Sequence, residues 1–368
     1  MNRNYKLAGD NPYDGLPKSA FWKSGVVTES PLSLEGLYEP KFRITQQDRI
    51  ATAGSCFAQH IARFLKARSF QVMDAEPAPP FLPEGLRQAY GYATYSARYG
   101  NIYSSTQLRQ LAAEILGEFR PQNFVWRKGA AFVDGLRPAV EPDGFASEDE
   151  LRVNRAFHLN RVRALFQNMD VFVFTLGLTE TWRDRASGTV FPTAPGILGG
   201  RFDQAAFEFH NLTYGEVFAA MTDFIRLVSA LRQGRPLKII LTVSPVPLTA
   251  TASGKHVISA TAYSKSVLRA VAGDLAAAHD FIDYFPSYEM VTNPAARGQF
   301  FTDNLRTVRE SGVQAVMAAF LRAHGVETAQ PAGLTPPPPD VHGEADFTLD
   351  GGASEAQCED ALLEAFGG

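Results

Sequence analysis

Two stretches, DVFVFTLG at 170–177 and LKIILTVSP at 237–245, run apolar without alternation and end in Gly or Ser-Pro. A half-exposed strand alternates apolar and polar residues, so continuous runs of this length read as strands buried on both faces, as in a parallel sheet covered by helices. RIATAGS at 49–55 has the same form and leads into a helix whose Phe57, Ile61, Phe64 and Leu65 share one face. FQVMD at 70–74 and the stretch 280–290 are further expected strands. Helices are expected near 106–117, 148–167, 213–232, 260–278 and 310–324; the second opens at Ser147 with Asp149 and Glu150 in its first turn, favourable for the helix dipole. Strands alternating with helices predict an α/β fold, with a mostly parallel sheet between two helical layers.

The remaining segments divide the chain into parts. Residues 1–48 carry prolines at 12, 17, 31 and 40 among scattered aromatics and read as an arm packed on the core. Residues 49–325 form the α/β domain, with an insertion at about 75–150 whose part from 118 to 148 reads as loop-rich. Residues 326–368 are a Pro-rich linker and an acidic tail; the short amphipathic CEDALLEAF there is the expected contact for a protein partner. A net charge of −4 with no basic run interleaved with aromatics excludes nucleic acid as a general partner. No stretch reaches the roughly 20 apolar residues of a spanning helix, and no leader pattern opens the chain, so a cytoplasmic protein is expected. Two cysteines, Cys56 and Cys358, allow no cysteine metal cluster, and no His-Glu-x-x-His occurs, so neither a metal nor a cofactor is expected. GILGGRF at 196–202 lacks the Lys-Ser/Thr of a phosphate-binding loop.

In such sheets ligands sit beyond the carboxyl ends of the strands. The polar residues that end these strands are Ser55 and Cys56, Thr179 and Glu180, and Ser244. A nucleophile placed at the turn into a helix gains from the positive end of the dipole and from backbone N–H groups that stabilise a thiolate or an oxyanion. Cys56 and Ser55 both occupy that turn, and the local pattern leaves open which attacks.

AGSCFA at 53–58 resembles the signature of the GSCFA-domain family, a bacterial group placed near the SGNH/GDSL hydrolases. YGNIYSSTQLRQL at 99–111, FTLGLTETW at 174–182, TVSPVPLTATASGKHV at 242–257, YSKSVLRAVA at 263–272 and YFPSYEM at 284–290 resemble that family in the same order, so the likeness spans about residues 10–325. It implies a three-layer, flavodoxin-like sandwich and chemistry on an acyl ester, hydrolysis or transfer, with acetyl on a carbohydrate or another hydroxylated small molecule as the expected substrate.

Laid on the SGNH pattern, Gly54-Ser55-Cys56 matches Gly-Asp-Ser, which puts Cys56 at the nucleophile with Ser55 as runner-up. A thiol is intrinsically the better nucleophile and implies a thioester intermediate. Gly100, with Asn101 beside it, matches the second-block oxyanion donor, and Gly177-Leu178-Thr179-Glu180 matches the third block with Thr179 in place of Asn. The late Asp-x-x-His of the pattern falls on TDNLRTVRESGV at 302–313, which has Thr307 and no histidine; Arg306 there is an expected contact for a substrate anion. His210 and His256 are the expected bases, with His60, i+4 from Cys56, behind them. The missing histidine and the Asn-to-Thr change also keep open a second reading, a binding or scaffolding protein on a decayed hydrolase fold.

Overall fold

A computed structural model describes residues 11–30 and 36–326. In chain order the elements are β1 (Ile50–Gly54), α1 (Phe57–Ala67), α2 (Glu84–Arg87), α3 (Ser105–Leu116), the hairpin β2 (Val125–Lys128) and β3 (Ala131–Asp134), and α4 (Glu148–Asn168). There follow β4 (Val171–Leu176), β5 (Glu180–Asp184), β6 (Val190–Phe191), β7 (Phe207–Asn211), α5 (Tyr214–Leu231), β8 (Lys238–Val243), α6 (Val257–Ala278), β9 (Ile282–Phe285), α7 (Ser287–Thr292) and α8 (Glu310–Ala323).

The central sheet has the order β1-β4-β8-β9 with every pairing parallel. Successive residues of a strand face opposite sides, and the apolar runs separate accordingly. Ala51, Ala53, Phe172, Phe174, Leu176, Ile239, Leu241 and Val243 belong to one core with residues of α3, α4, α5 and α6. Ile50, Val171, Val173 and Ile240 belong to a second core with residues of α1, α7 and α8. Helices therefore cover both faces, which is why these strands carry no polar alternation. The result is the expected three-layer α/β/α arrangement.

Three local expectations give way to finer detail. FQVMD forms only one bridge, Val72 to Ile50, because Asp74 accepts the amide of Glu76 and turns the chain away before a second pairing. That bridge lies on the free edge of β1, so the segment around Val72 flanks the order β1-β4-β8-β9, as in doubly wound sheets. The stretch 280–290 is strand only to Phe285; Pro286 cannot donate to the ladder, and α7 starts at the next residue. Residues 118–148 are not all loop: β2 and β3 pair antiparallel, and Trp126, Phe132 and Phe145 join Phe191 and Phe207 in a third, smaller core. Phe191 and Phe207 come from the antiparallel sheet β6-β5-β7, which grows from the carboxyl end of β4.

Before β1, Tyr38 and Phe42 pack on the core that includes α8, and the Tyr38 hydroxyl donates to Asp283 Oδ2 at 3.1 Å. The Pro-rich linker, the acidic tail and Cys358 lie outside the described residues. No helix among the described residues is long and apolar enough to cross a membrane.

Candidate active site

The carboxyl end of β1 approaches β4 more closely than any side chain allows. A Cβ on Gly54 would lie 2.4 Å from the Thr175 carbonyl oxygen, and Gly54 holds φ at +138°, so both space and backbone require glycine. The Ser55 amide then donates to that same Thr175 oxygen at 3.1 Å, and Cys56 caps α1. This is a sharp strand-to-helix turn with the thiol at the positive end of an eleven-residue helix.

Beside it lies a tight cleft of about 10 Å³, lined by Ser55, Cys56, Tyr103, Gly177, Ser244 and Lys265 with Leu178 and Val246–Leu248. Cys56 is 7% exposed and Ser55 2%. The Ser55 hydroxyl has no hydrogen-bond partner. Buried polar atoms are paired in the great majority of cases, which sets this hydroxyl apart on the cleft wall. Lys265, 2% exposed, enters from α6 and donates from Nζ to the Gly177 carbonyl oxygen at 2.7 Å.

The segment 100–103 crosses the end of β1, where the Ile102 amide donates to Gly54 O at 2.9 Å. Tyr103 O accepts the amides of both Gly177 and Leu178, at 2.9 and 3.1 Å, so the Gly177 N–H is already committed. Gly177 also faces Ser55 closely: a Cβ there would stand 3.0 Å from Ser55 Cβ. Asn101 is buried, and its Oδ1 accepts from the Tyr95 hydroxyl, which in turn accepts from Gln59 Nε2 at 3.2 Å. Gln59 sits one turn after Cys56, and its amide donates to Cys56 O at 3.1 Å. This relay fixes the Asn101 amide, whose NH₂ is its donor group. Gly100, at φ +66°, faces Arg137 and Val140 and does not line the cleft.

The other expected site residues spread further. Thr179 is wholly buried; its hydroxyl donates to Asn211 Oδ1 at 2.6 Å and its amide to Ser264 Oγ at 2.9 Å, so it fastens β5 to β7 and α6. Glu180 accepts from the Thr251 hydroxyl at 2.6 Å; burial raises its carboxyl above the ordinary carboxylate range. That bond holds down the loop 244–256, whose Val246, Pro247 and Leu248 roof the cleft. Ser244 lines the cleft and its Oγ accepts from the Val246 amide at 3.3 Å.

Neither His210 nor His256 lines the cleft. His210 lies on β7 opposite Thr181, with Nε2 at 2.7 Å from Glu216, the carboxylate that completes the capping box of α5. His256 is the N-cap of α6, where Nδ1 accepts from the Ile258 amide at 3.2 Å. It stands nine positions before Lys265, about 13 Å along a helix axis. Arg306 lies in a turn closed by Asn304, whose Oδ1 accepts the amides of Arg306 and Thr307, each at 2.9 Å; neither lines the cleft.

Lys265 is the site residue that residue-by-residue reading passed over. YSKSVLRAVA contains it, and its signal is a lysine whose neighbours Ser264 and Leu268 are core-facing on the same helix. No group of metal-binding side chains occurs among the described residues.

No curated protein and no solved structure matches the chain. The model of the GSCFA family matches residues 49–320, well over half of the sequence. The fold, the strand-end cleft and the motif that builds its floor all lie inside that match, and the chain belongs to the GSCFA family.

Proposed function

We propose that the protein transfers or hydrolyses a small acyl group, with Cys56 as nucleophile. The observation that carries this reading is the cleft wall: a buried thiol at a helix start, an unpaired buried Ser55 hydroxyl beside it, and the buried amine of Lys265 at the same strand ends. The likeness to the SGNH hydrolases points the same way.

In this mechanism the Cys56 sulfur attacks as thiolate, charge-balanced by the Lys265 ammonium. A C–S bond forms at the ester carbonyl, and its oxygen takes the negative charge. Donors for that oxyanion are the Ser55 hydroxyl, the Phe57 N–H at the head of α1 and the Asn101 amide. Collapse breaks the ester C–O bond, and the leaving alkoxide takes a proton from Lys265. The thioester is then attacked by water or a second hydroxyl, which gives its proton to Lys265 while the C–S bond breaks. Lys265 replaces His210 and His256 as the proton carrier in this reading, because it shares the cleft with the sulfur and they do not.

The cleft beside Cys56 is tight, with about 10 Å³ of free space, close to what a single water needs. The acyl group is therefore short, acetyl before longer chains. The test is turnover of p-nitrophenyl acetate against the butyrate and octanoate esters. Preference for acetate, abolished in Cys56→Ala, supports the reading; absence of turnover on all three leaves the binding-protein reading in its place.

A further inference from the structure

A second cleft, about 320 Å³, opens between the outer face of α1 and the segment that contains α2. Gln59, His60, Arg63 and Lys66 form one wall, at helical spacings that put them on a common side. Arg87, Glu84, Tyr92 and Thr94 belong to the facing wall. The lining holds three permanent cations against one carboxylate, in a chain whose net charge is −4.

The imidazole adds a donor rather than a charge. Burial and the neighbouring Arg63 push His60 down to about 4, and Arg63 Nη2 lies 3.0 Å from His60 Nδ1. With Nδ1 accepting, the proton of the neutral ring sits on Nε2. Arg63 also reaches Glu310 at 3.3 Å in a half-exposed pair, whereas Lys66 and Arg87 form no ion pair among the described residues. A concave site with such donors takes an anion with several oxygens.

Gln59 joins this cleft to the reacting centre. It lines the cleft and starts the relay through Tyr95 to Asn101, one helical turn from Cys56. We infer that the cleft binds a phosphate or carboxylate carried on the alcohol side of the acyl ester, so that the substrate is an anionic small molecule. The link to the ester rests on the function proposed above; the anion site itself does not.

The experiment is calorimetric titration of the full chain at low ionic strength with inorganic phosphate and, separately, glutarate. Saturable binding of at least one is expected, about tenfold weaker in Lys66→Gln/Arg87→Gln, unchanged in Cys56→Ala and unchanged in Lys255→Gln, a surface control. The stronger of the two probes identifies the anion class. Lys66→Gln alone, with thermal unfolding matched to wild type, separates lost binding from lost folding. No saturable heat with either probe, or equal affinity in the double variant, overturns the proposal. Phosphate binding that persists in a protein inert toward esters overturns the acyl reading and keeps the anion site.

Discussion

Lys265 Nζ and the Gly177 carbonyl oxygen are 2.7 Å apart, joined across the end of β4 by a bond buried from solvent. The bond ties α6 to the strand end and fixes Lys265 in the wall of the cleft that Cys56 also lines. Lys265→Met keeps an unbranched side chain one atom shorter and removes the donor. We expect iodoacetamide to label Cys56 at least about tenfold more slowly in this variant, since the thiolate loses its counter-charge. A merely structural role changes unfolding without changing the pH dependence of labelling, so the labelling rate is to be followed across pH.

The roof of the cleft predicts the opposite sign. Thr251→Val removes the donor to Glu180 and leaves that half-buried carboxylate without the hydroxyl. Stability falls by about 1–2 kcal/mol, and labelling of Cys56 accelerates as the loop 244–256 loosens. Parallel urea unfolding and timed alkylation check both halves.

Gly54→Ala tests the turn itself. Its methyl meets Thr175 O at 2.4 Å and the backbone must keep φ near +138°. We expect a loss of at least about 3 kcal/mol, or no folded protein. Gly177→Ala, whose Cβ meets Ser55 Cβ at 3.0 Å, disturbs the wall more mildly and should lower kcat more than it lowers stability; chemical unfolding and ester turnover on the same preparations decide.

The relay is tested by Tyr95→Phe. The Asn101 amide loses the partner that fixes its orientation, and kcat on p-nitrophenyl acetate should fall by about ten- to a hundredfold at a stability cost of about 1–2 kcal/mol. A change in KM alone contradicts an oxyanion role for Asn101.

Acid weakens the fold through two buried histidines. Desolvation, with Arg137 near His158 and Arg43 and Lys238 near His324, lowers each from 6.5 to about 4. Nδ1 of His324 accepts the Ile44 amide at 3.3 Å, which requires an unprotonated nitrogen. The unfolded chain takes up these protons below pH 6.5 and the folded chain only near 4. Stability is therefore full above pH 6.5 and declines toward pH 4, by at most about 3 kcal/mol for each ring. Urea midpoints at pH 7.5 and 4.5 measure it, and His324→Gln should flatten the slope.

The parallel sheet was legible because β4 and β8 are apolar on both faces, and the helices because their caps, Ser104, Ser147 and Thr213, stand at their starts. The hairpin β2–β3 was hidden because its short strands hold few alternating residues, with Arg127, Lys128 and Gly129 near the turn. Cys56, Ser55, Gly177 and Ser244 do meet in one cleft, since strand-end position is readable from the runs themselves. Lys265 was not readable that way: it reaches the site from the middle of a helix, where only the three-dimensional crossing of α6 over β4 brings it to Gly177. His210 read as a base in sequence, where nothing signals that Glu216, the capping-box carboxylate of α5, stands beside it.

The central claim is covalent, and the most direct measurement is the site of acylation. The protein is mixed with p-nitrophenyl acetate, quenched in acid, digested and mapped by mass spectrometry. A single acetyl on the peptide containing Cys56, removed by neutral hydroxylamine as a thioester is and absent from Cys56→Ala, is the predicted result. An acetyl that resists neutral hydroxylamine and maps to Ser55, or no adduct on this peptide, contradicts Cys56 as the nucleophile.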